Sequence, residues 1–490
     1  MPTYYKTHRK EIGLVIGLLL SLLSFITNPF ILSHHANQIL SIIILMIVWW
    51  IFEAVPIAVT ALIPIVLFPA LGISSIKEVA QSYADPIVFL FMGGFFIAIA
   101  IEKWNLHKRI ALGIIRVTGT NGNRIILGFI MATGLLSLWL SNTATTMMMY
   151  PLAVSVIQVV QVVQNHNKNE KNTQNFSLAL LLSIAYASNF ALGTVIATPP
   201  NVAYVGYIKD RFNYTISFSD WMVLFFPLTL VLLLMLYGVL VKIMHPNNIQ
   251  HNDEASDTIK KSQHQLGTIS RPEVRVLLIF IFTVLLWISK DLVNKWQIFV
   301  TLDDTVIALL SAVLLFIIPS GNKKKRKPER LLVWRDTQKM AWDILLLFGG
   351  GIALANALEV SQLANEFANG LAYITTHNLL LVIIIISAIS IFLSEVISNL
   401  ALVMILSPVV TTLALSLHID PLLLGIPMTL SASCSSMLPL GTPPNAIIFA
   451  KGNIKIQTMM KTGFVLNVIC VIIISLVCWY FIPMMPGMRL

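Results

Sequence analysis

Charge is what this chain has least of. Only 11% of its 490 residues are Asp, Glu, Lys or Arg, against roughly 25% in a soluble domain. That shortage excludes an ordinary water-facing surface. Cysteine is scarce as well. Cys434, Cys470 and Cys478 all lie in apolar runs, with no metal-ligand spacing and no disulfide framework. There is no His-Glu-x-x-His, no Gly-x-Ser-x-Gly and no pair of membrane-depth aspartates. The usual signatures of an intramembrane enzyme are therefore missing, and nothing calls for a cofactor. Short strands of alternating polarity, the mark of an outer-membrane barrel, are also lacking. The net charge of +10 does not argue for nucleic acid, because most of the excess falls in short loops between apolar runs.

What is present in abundance is apolar sequence. Hydrophobic residues make up 57% of the chain and its mean hydropathy is +0.83. Apolar runs recur from Ile12 to Pro483, each about 20 residues long, enough to cross a hydrocarbon core about 30 Å thick. The first follows Lys6, His8, Arg9 and Lys10. It is too long for a signal-peptide core and no cleavage site follows it. The reading is an all-α, polytopic membrane protein with about eleven transmembrane helices and two re-entrant hairpins. The spans are 12–31, 38–55, 56–72, 86–102, 178–208, 220–243, 274–290, 301–319, 341–358, 421–450 and 462–486, and the hairpins 124–162 and 379–412. An N-terminal helix, 1–35, precedes a first repeat, 36–243; a cytoplasmic linker, 244–271, leads to a second repeat, 272–490.

Charge tests that topology. With a cytoplasmic N-terminus, the inside segments hold Lys103–Arg124, Lys168–Lys171, Lys242–Arg275, Lys323–Lys339 and Lys451–Lys461, all rich in Lys or Arg. The outside segments hold Glu78, Asp220, Asp303, Asp304, Glu359, Glu366 and Asp420 and few basic residues.

The internal repeat is the most informative feature. Met92-Gly93-Gly94 recurs as Phe348-Gly349-Gly350-Gly351. Ser137-Leu-Trp-Leu-Ser141-Asn142-Thr143-Ala144 recurs as Ser394-Glu-Val-Ile-Ser398-Asn399-Leu400-Ala401, and Pro151 as Pro408. The offset is constant, 398 − 141 = 408 − 151 = 257. Thr198-Pro199-Pro200-Asn201 recurs as Thr442-Pro443-Pro444-Asn445 at an offset of 443 − 199 = 244. By the span count the first copy starts inward and the second outward, so the repeats are inverted. The segment after Glu102 is basic and the one after Glu359 is not, as copies on opposite faces should be. Inverted repeats with broken helices are characteristic of secondary transporters.

Two kinds of element interrupt the apolar runs: the polar hairpin tips and the Pro-Pro breaks. Paired prolines remove two amide donors and break a helix. Non-helical backbone at that depth must be buried in protein or line a cavity. Freed carbonyls suit a cation, and half-helix N-termini suit a carboxylate. Neither the hairpin cores nor the breaks carry Lys or Arg, so an anion there would meet dipoles and amides. Glu395, whose repeat partner is Leu138, reads as an interfacial or hydrogen-bonded residue rather than a ligand.

In order and content these motifs resemble the divalent anion/sodium symporter family. The run Ser431-Ala-Ser-Cys434-Ser-Ser-Met-Leu-Pro439-Leu-Gly441-Thr442-Pro443-Pro444-Asn445 is an especially close likeness, and the resemblance covers nearly the whole chain. It implies an elevator-type carrier in which a transport domain slides against a scaffold domain that forms a homodimer. It implies a substrate site at Ser141, Asn142, Thr143, Thr198, Pro199, Ser398, Asn399, Thr442 and Pro443. It implies one sodium site at Ser137, Ser141, Asn142 and Ala197 and another at Ser394, Ile397, Asn399 and Gly441. The implied activity is movement of C4–C6 dicarboxylates (succinate, malate, fumarate, 2-oxoglutarate) across the inner, cytoplasmic membrane, by sodium symport or dicarboxylate exchange. A tricarboxylate such as citrate, or sulfate, is the substrate alternative. Three departures stand out: Leu400 replaces the family's Thr, Phe190-Ala191 stand where Gly-Gly is common, and Ala197 stands where Gly is frequent.

Overall fold

The computed structural model describes residues 2–29, 32–119, 121–165, 170–249, 253–295, 301–321, 329–361, 378–439, 441–451 and 454–484. Lys168, the cluster Lys323–Lys327 and Glu366 lie outside them. Among the described residues the architecture is helical throughout, apart from one isolated bridge between Pro319 and Arg330. The helices, in order, are α1 (Pro2–Thr27), α2 (His34–Phe52), α3 (Ile57–Thr60), α4 (Ile63–Ala70), α5 (Ile76–Tyr83), α6 (Pro86–Lys103), α7 (Leu106–Thr118), α8 (Gly122–Ser137), α9 (Asn142–Asn165), α10 (Glu170–Asn189) and α11 (Pro199–Phe212). They continue with α12 (Phe218–Gly238), α13 (Asp253–Gln265), α14 (Arg271–Lys295), α15 (Asp304–Ile317), α16 (Trp342–Val360), α17 (Leu379–Leu393), α18 (Asn399–Ser416), α19 (Leu422–Ser433), α20 (Pro443–Lys451) and α21 (Ile456–Phe481).

Among the described residues, eight helical stretches are long and apolar enough to cross a membrane. The chain is a multi-pass membrane protein. Helix starts follow ordinary capping chemistry. Asp85 caps α6 through Ile87 N at 2.7 Å, with Pro86 in the first turn, and Ser75 and Glu78 form a capping box on α5. Outward faces are apolar: Leu19, Ile26, Leu278, Leu285 and Leu292 all stand exposed, which suits a lipid solvent rather than water.

The segments expected to be hairpins are occupied by the helix pairs α8 and α9, and α17 and α18, each interrupted at its Ser-Asn. The expected spans 178–208 and 421–450 are each two half-helices. The first is α10 and α11 with a short 3-10 turn, Val195–Ala197, between them; the second is α19 and α20. The expected amphipathic segment after Glu102 is α7, which packs on α8. The linker contains a helix of its own, α13, lying against α7 and α9.

The packing exchanges parts between the two copies. Hairpin arm α9 packs on α20, and hairpin arm α18 packs on α11. Likewise α10 packs on α20 and α11 on α19. Each Pro-Pro half-helix therefore lies against the other copy's hairpin arm. One buried ion pair lies inside this frame. Lys290 Nζ meets Asp304 at 2.8 Å, and the same carboxylate oxygen accepts from Phe218 N at 3.0 Å.

Candidate functional site

Each break begins where a helix stops short of a Pro-Pro pair. Proline is tolerated in the first helical turn because those amides have no intrahelical acceptor. The next residue does the closing. Asn201 Nδ2 reaches back to Thr194 O at 3.2 Å and Leu192 O at 3.4 Å. Asn445 Nδ2 reaches back to Leu438 O and Ser435 O, both at 3.2 Å. Thr194 and Leu438 stand 244 apart, as the two asparagines do. One device is thus used twice. Each of these four carbonyls thus accepts at least one bond from an asparagine.

The two breaks are also stitched together. Asn189 Nδ2, at the end of α10, donates to Ser435 O at 3.1 Å, Thr442 Oγ1 at 3.1 Å and Asn445 Oδ1 at 3.2 Å. Thr198 Oγ1 lies 3.4 Å from Ser433 Oγ. Thr198 and Thr442 are thus each buried and each bonded across to the other break. Pro199 is half-buried beside it, whereas Pro443 is exposed.

The hairpin tips open the arms that pack on these breaks. Ser141 Oγ accepts from Ala144 N at 3.2 Å and so caps α9. Ser398, at the same place before α18, makes no side-chain cap bond, which leaves its hydroxyl spare. Asn142 Oδ1 and Asn399 Oδ1 are both buried oxygens without a hydrogen-bond partner. Ser137 Oγ and Ser435 Oγ share that condition. Ser394 Oγ donates to Ile391 O at 2.9 Å, which leaves its lone pairs for a cation. Among the described residues no group of three or more His, Cys, Asp or Glu could hold a metal. The buried, unshared oxygens at Ser137, Asn142, Asn399 and Ser435 fit a hard monovalent cation held by neutral ligands. Ala197 and Gly441 are buried and Ile397 is half-buried.

A cavity of about 970 Å³ joins Ser141 and Ala144 to Lys103, Lys108 and Lys339, with Ser262 and Gln265 of the linker helix on its wall. A site at the first hairpin tip is therefore reached from the basic end of the molecule.

Sequence reasoning missed three parts of this site: Asn189, and the bracing roles of Asn201 and Asn445. The recurrence of asparagine after both Pro-Pro pairs was the available signal. Asn189 has Ser433 as its counterpart at offset 244, so the repeat could not reveal it.

A multi-pass helical protein with two mutually bonded helix breaks, each packed on the helix that opens at the other copy's Ser-Asn, has the architecture of a secondary transporter. The chain belongs to the family described as the sodium:sulfate symporter transmembrane region, which it matches over residues 8–486. It is 37% identical over 479 residues to the sodium-dependent dicarboxylate transporter SdcS of Staphylococcus saprophyticus, covering 97% of this chain and 92% of the relative. It is 39% identical to the SdcS of Staphylococcus aureus strain USA300, with the same coverage. Among solved structures it resembles the Alcanivorax borkumensis YdaH transporter, with a TM-score of 0.56 and 14% identity over 83% of this chain and 87% of that one. That last likeness concerns the fold alone.

Proposed function

We propose that this chain is a sodium-driven symporter of small dicarboxylates in the cytoplasmic membrane, with its N-terminus inside. The observation that carries this is the juxtaposition of two bonded breaks with hairpin tips whose buried asparagine oxygens have no protein partner. Substrate carboxylates would be held by Ser141, Asn142, Thr143, Ser398 and Asn399, with Thr198, Pro199, Thr442 and Pro443 closing the site. Sodium would be held at Ser137, Ser141, Asn142 and Ala197, and at Ser394, Ile397, Asn399 and Gly441. A bound cation offsets the cost of desolvating a dianion that meets no Lys or Arg. The relatives' sodium-dependent dicarboxylate transport supports symport over exchange. The lysines lining the cavity support a cytoplasmic side for it under the positive-inside rule, and with it an inward-open reading of this conformation. Two inverted repeats would supply a sliding transport domain, and the remaining helices a dimeric scaffold.

The test is uptake of labelled succinate into proteoliposomes under an inward sodium gradient. Accumulation against the succinate gradient is expected, and replacing sodium by choline should remove it. Uptake that needs only internal dicarboxylate and ignores sodium would overturn symport. Citrate and sulfate belong in the competition panel, because the family description names sulfate.

Leu400 stands where the family has Thr. It is buried at 6% among apolar side chains, whereas Thr143 is half-buried. Leu400→Thr is expected to cost roughly 1–3 kcal/mol in stability through lost apolar burial and a poorly partnered hydroxyl. Thermal unfolding would read this loss, while dicarboxylate preference should stay unchanged. A changed preference in competition uptake would instead place Leu400 at the site.

A further inference from the structure

The two copies differ in charge at one buried position. Glu395 lies 257 residues after Leu138. Glu395 is 3% exposed, and its carboxylate accepts four hydrogen bonds. Oε1 takes Ser436 N, Met437 N and Asn467 Nδ2, each at 2.7 Å, and Oε2 takes Leu438 N at 2.8 Å. All four partners are donors, and hydrogen bonds donated to a carboxylate favour its charged form. Such a set of donors suits an ionised carboxylate. The amides of the second break are thus held by the protein's own anion.

That charge borders the second cation site. Built on Gly441, a Cβ would stand 2.9 Å from Glu395 Oε2 and 3.1 Å from Ser435 Oγ, a buried oxygen with no partner of its own. Glu395 is also next to Ser394 and four residues before Asn399. The first site is built otherwise. Gly441's counterpart is Ala197, since 441 − 244 = 197. Leu138, Ala191 and Ala197 form an apolar cluster with Leu135, Trp139 and Phe226 packed against it. A Cβ on Gly193 would sit 3.2 Å from Leu138 Cδ2, so hydrocarbon lies where the second copy has a carboxylate.

We propose that the two cation sites are unequal. The site at Ser394, Ile397, Asn399 and Gly441 binds the driving sodium tightly because Glu395 lies beside it. The neutral site at Ser137, Ser141, Asn142 and Ala197 binds weakly. This rests on the sodium-coupled reading given above. A full negative charge within a few ångströms, shielded from water, raises the affinity for a monovalent cation by about tenfold or more. A cation walled by hydrocarbon loses hydration without that return. Glu395 is a positioning residue: its oxygens hold the break, and its charge acts on the cation through the site they shape.

Sodium binding can be read without transport, from the thermal stabilisation of purified full-length protein in detergent. Sodium chloride is exchanged for choline chloride at constant ionic strength. The wild type is expected to gain stability in two stages, its slope against log sodium concentration steepening at two dissociation constants about tenfold or more apart. A titration that fits two identical sites overturns the proposal without any variant. Glu395→Gln should raise the tighter dissociation constant about tenfold or more, while the KM for succinate at saturating sodium moves by less than about threefold. Glu395→Asp, which keeps the charge, should fall between. Wild-type sodium affinity in Glu395→Gln also overturns it. Wild-type protein that neither responds to sodium in unfolding nor needs it for uptake overturns the sodium-coupled reading instead.

Discussion

Asn142→Ala and Asn399→Ala are each expected to abolish succinate uptake while leaving the protein inserted and monodisperse. The two parts of that expectation have separate causes. Each asparagine is the first residue of a hairpin arm, α9 or α18, where helix amides lie free. Each carries a buried Oδ1 that bonds to nothing in the protein. Deleting that oxygen removes no internal acceptor bond, so stability should change little. Ligand binding loses more. Each asparagine stands in both a substrate set and a cation set, and hydrogen bonds to charged groups contribute about 1.5–3 kcal/mol each. Losing one contact of each kind reduces uptake about a hundredfold or more. The measurement is uptake normalised to the amount of monodisperse protein recovered. Normal uptake by either variant removes the site assignment. Asn445→Ala should behave in the opposite way. Its side chain braces Leu438 O and Ser435 O and accepts from Asn189, so recovery of folded protein should fall first.

The elements that were readable in the sequence are those where the backbone itself restricts residue choice. Pro199-Pro200 and Pro443-Pro444 forced two breaks, and both breaks formed at those residues. Gly93-Gly94 and Gly350-Gly351 recurred because helices cross closely there. The hairpin tips were visible because Ser-Asn interrupts an apolar run twice at one offset. What escaped was chemistry between distant residues. Glu395 and Ser436 are 41 residues apart, and Asn189 and Thr442 are 253 apart. No local pattern links such pairs, and a single sequence supplies no second chain to compare. The linker helix α13 escaped for another reason. Its composition, with Lys260, Lys261, Gln263 and Gln265, reads as solvated loop, and only the fold shows it against α7 and α9. The cavity wall at Ser262 and Gln265 follows from that packing.

Leucine at either Gly93 or Gly350 is expected to remove nearly all folded protein. These two positions are 257 apart and meet corresponding obstacles. At Gly93 a Cβ would stand 2.6 Å from the Ala308 carbonyl carbon and 2.7 Å from Ala308 Cβ. At Gly350 it would run into the Ala61 carbonyl and stand 2.9 Å from Ala61 Cα. In both cases the obstacle is backbone, which has no flexible end to swing aside. Overpacking of this kind costs typically 1–3 kcal/mol for a few added methylenes, and four new carbons forced against a carbonyl exceed that range. The neighbouring glycines behave differently. Gly94 faces Ile196 at 3.7 Å, in the turn before the first Pro-Pro pair, and Gly351 faces the end of Met404 on hairpin arm α18. Met404 can move away because its side chain has three soft torsions, so Gly351→Ala should fold and show altered uptake kinetics. Gly113 and Gly238 are the controls, with nothing within 4 Å of an added Cβ. Alanine there should stabilise the helix by about 0.5–1 kcal/mol. Recovery of monodisperse protein across the series checks the set, and a folded, active Gly350→Leu would show that α16 does not pass Ala61, the residue that closes α3, at backbone distance. In each Gly-Gly pair, then, one glycine faces the packed helix, Ala308 or Ala61. The other faces the site-forming segment, Ile196 or Met404, so the Gly-rich helices are the surface on which those segments pack.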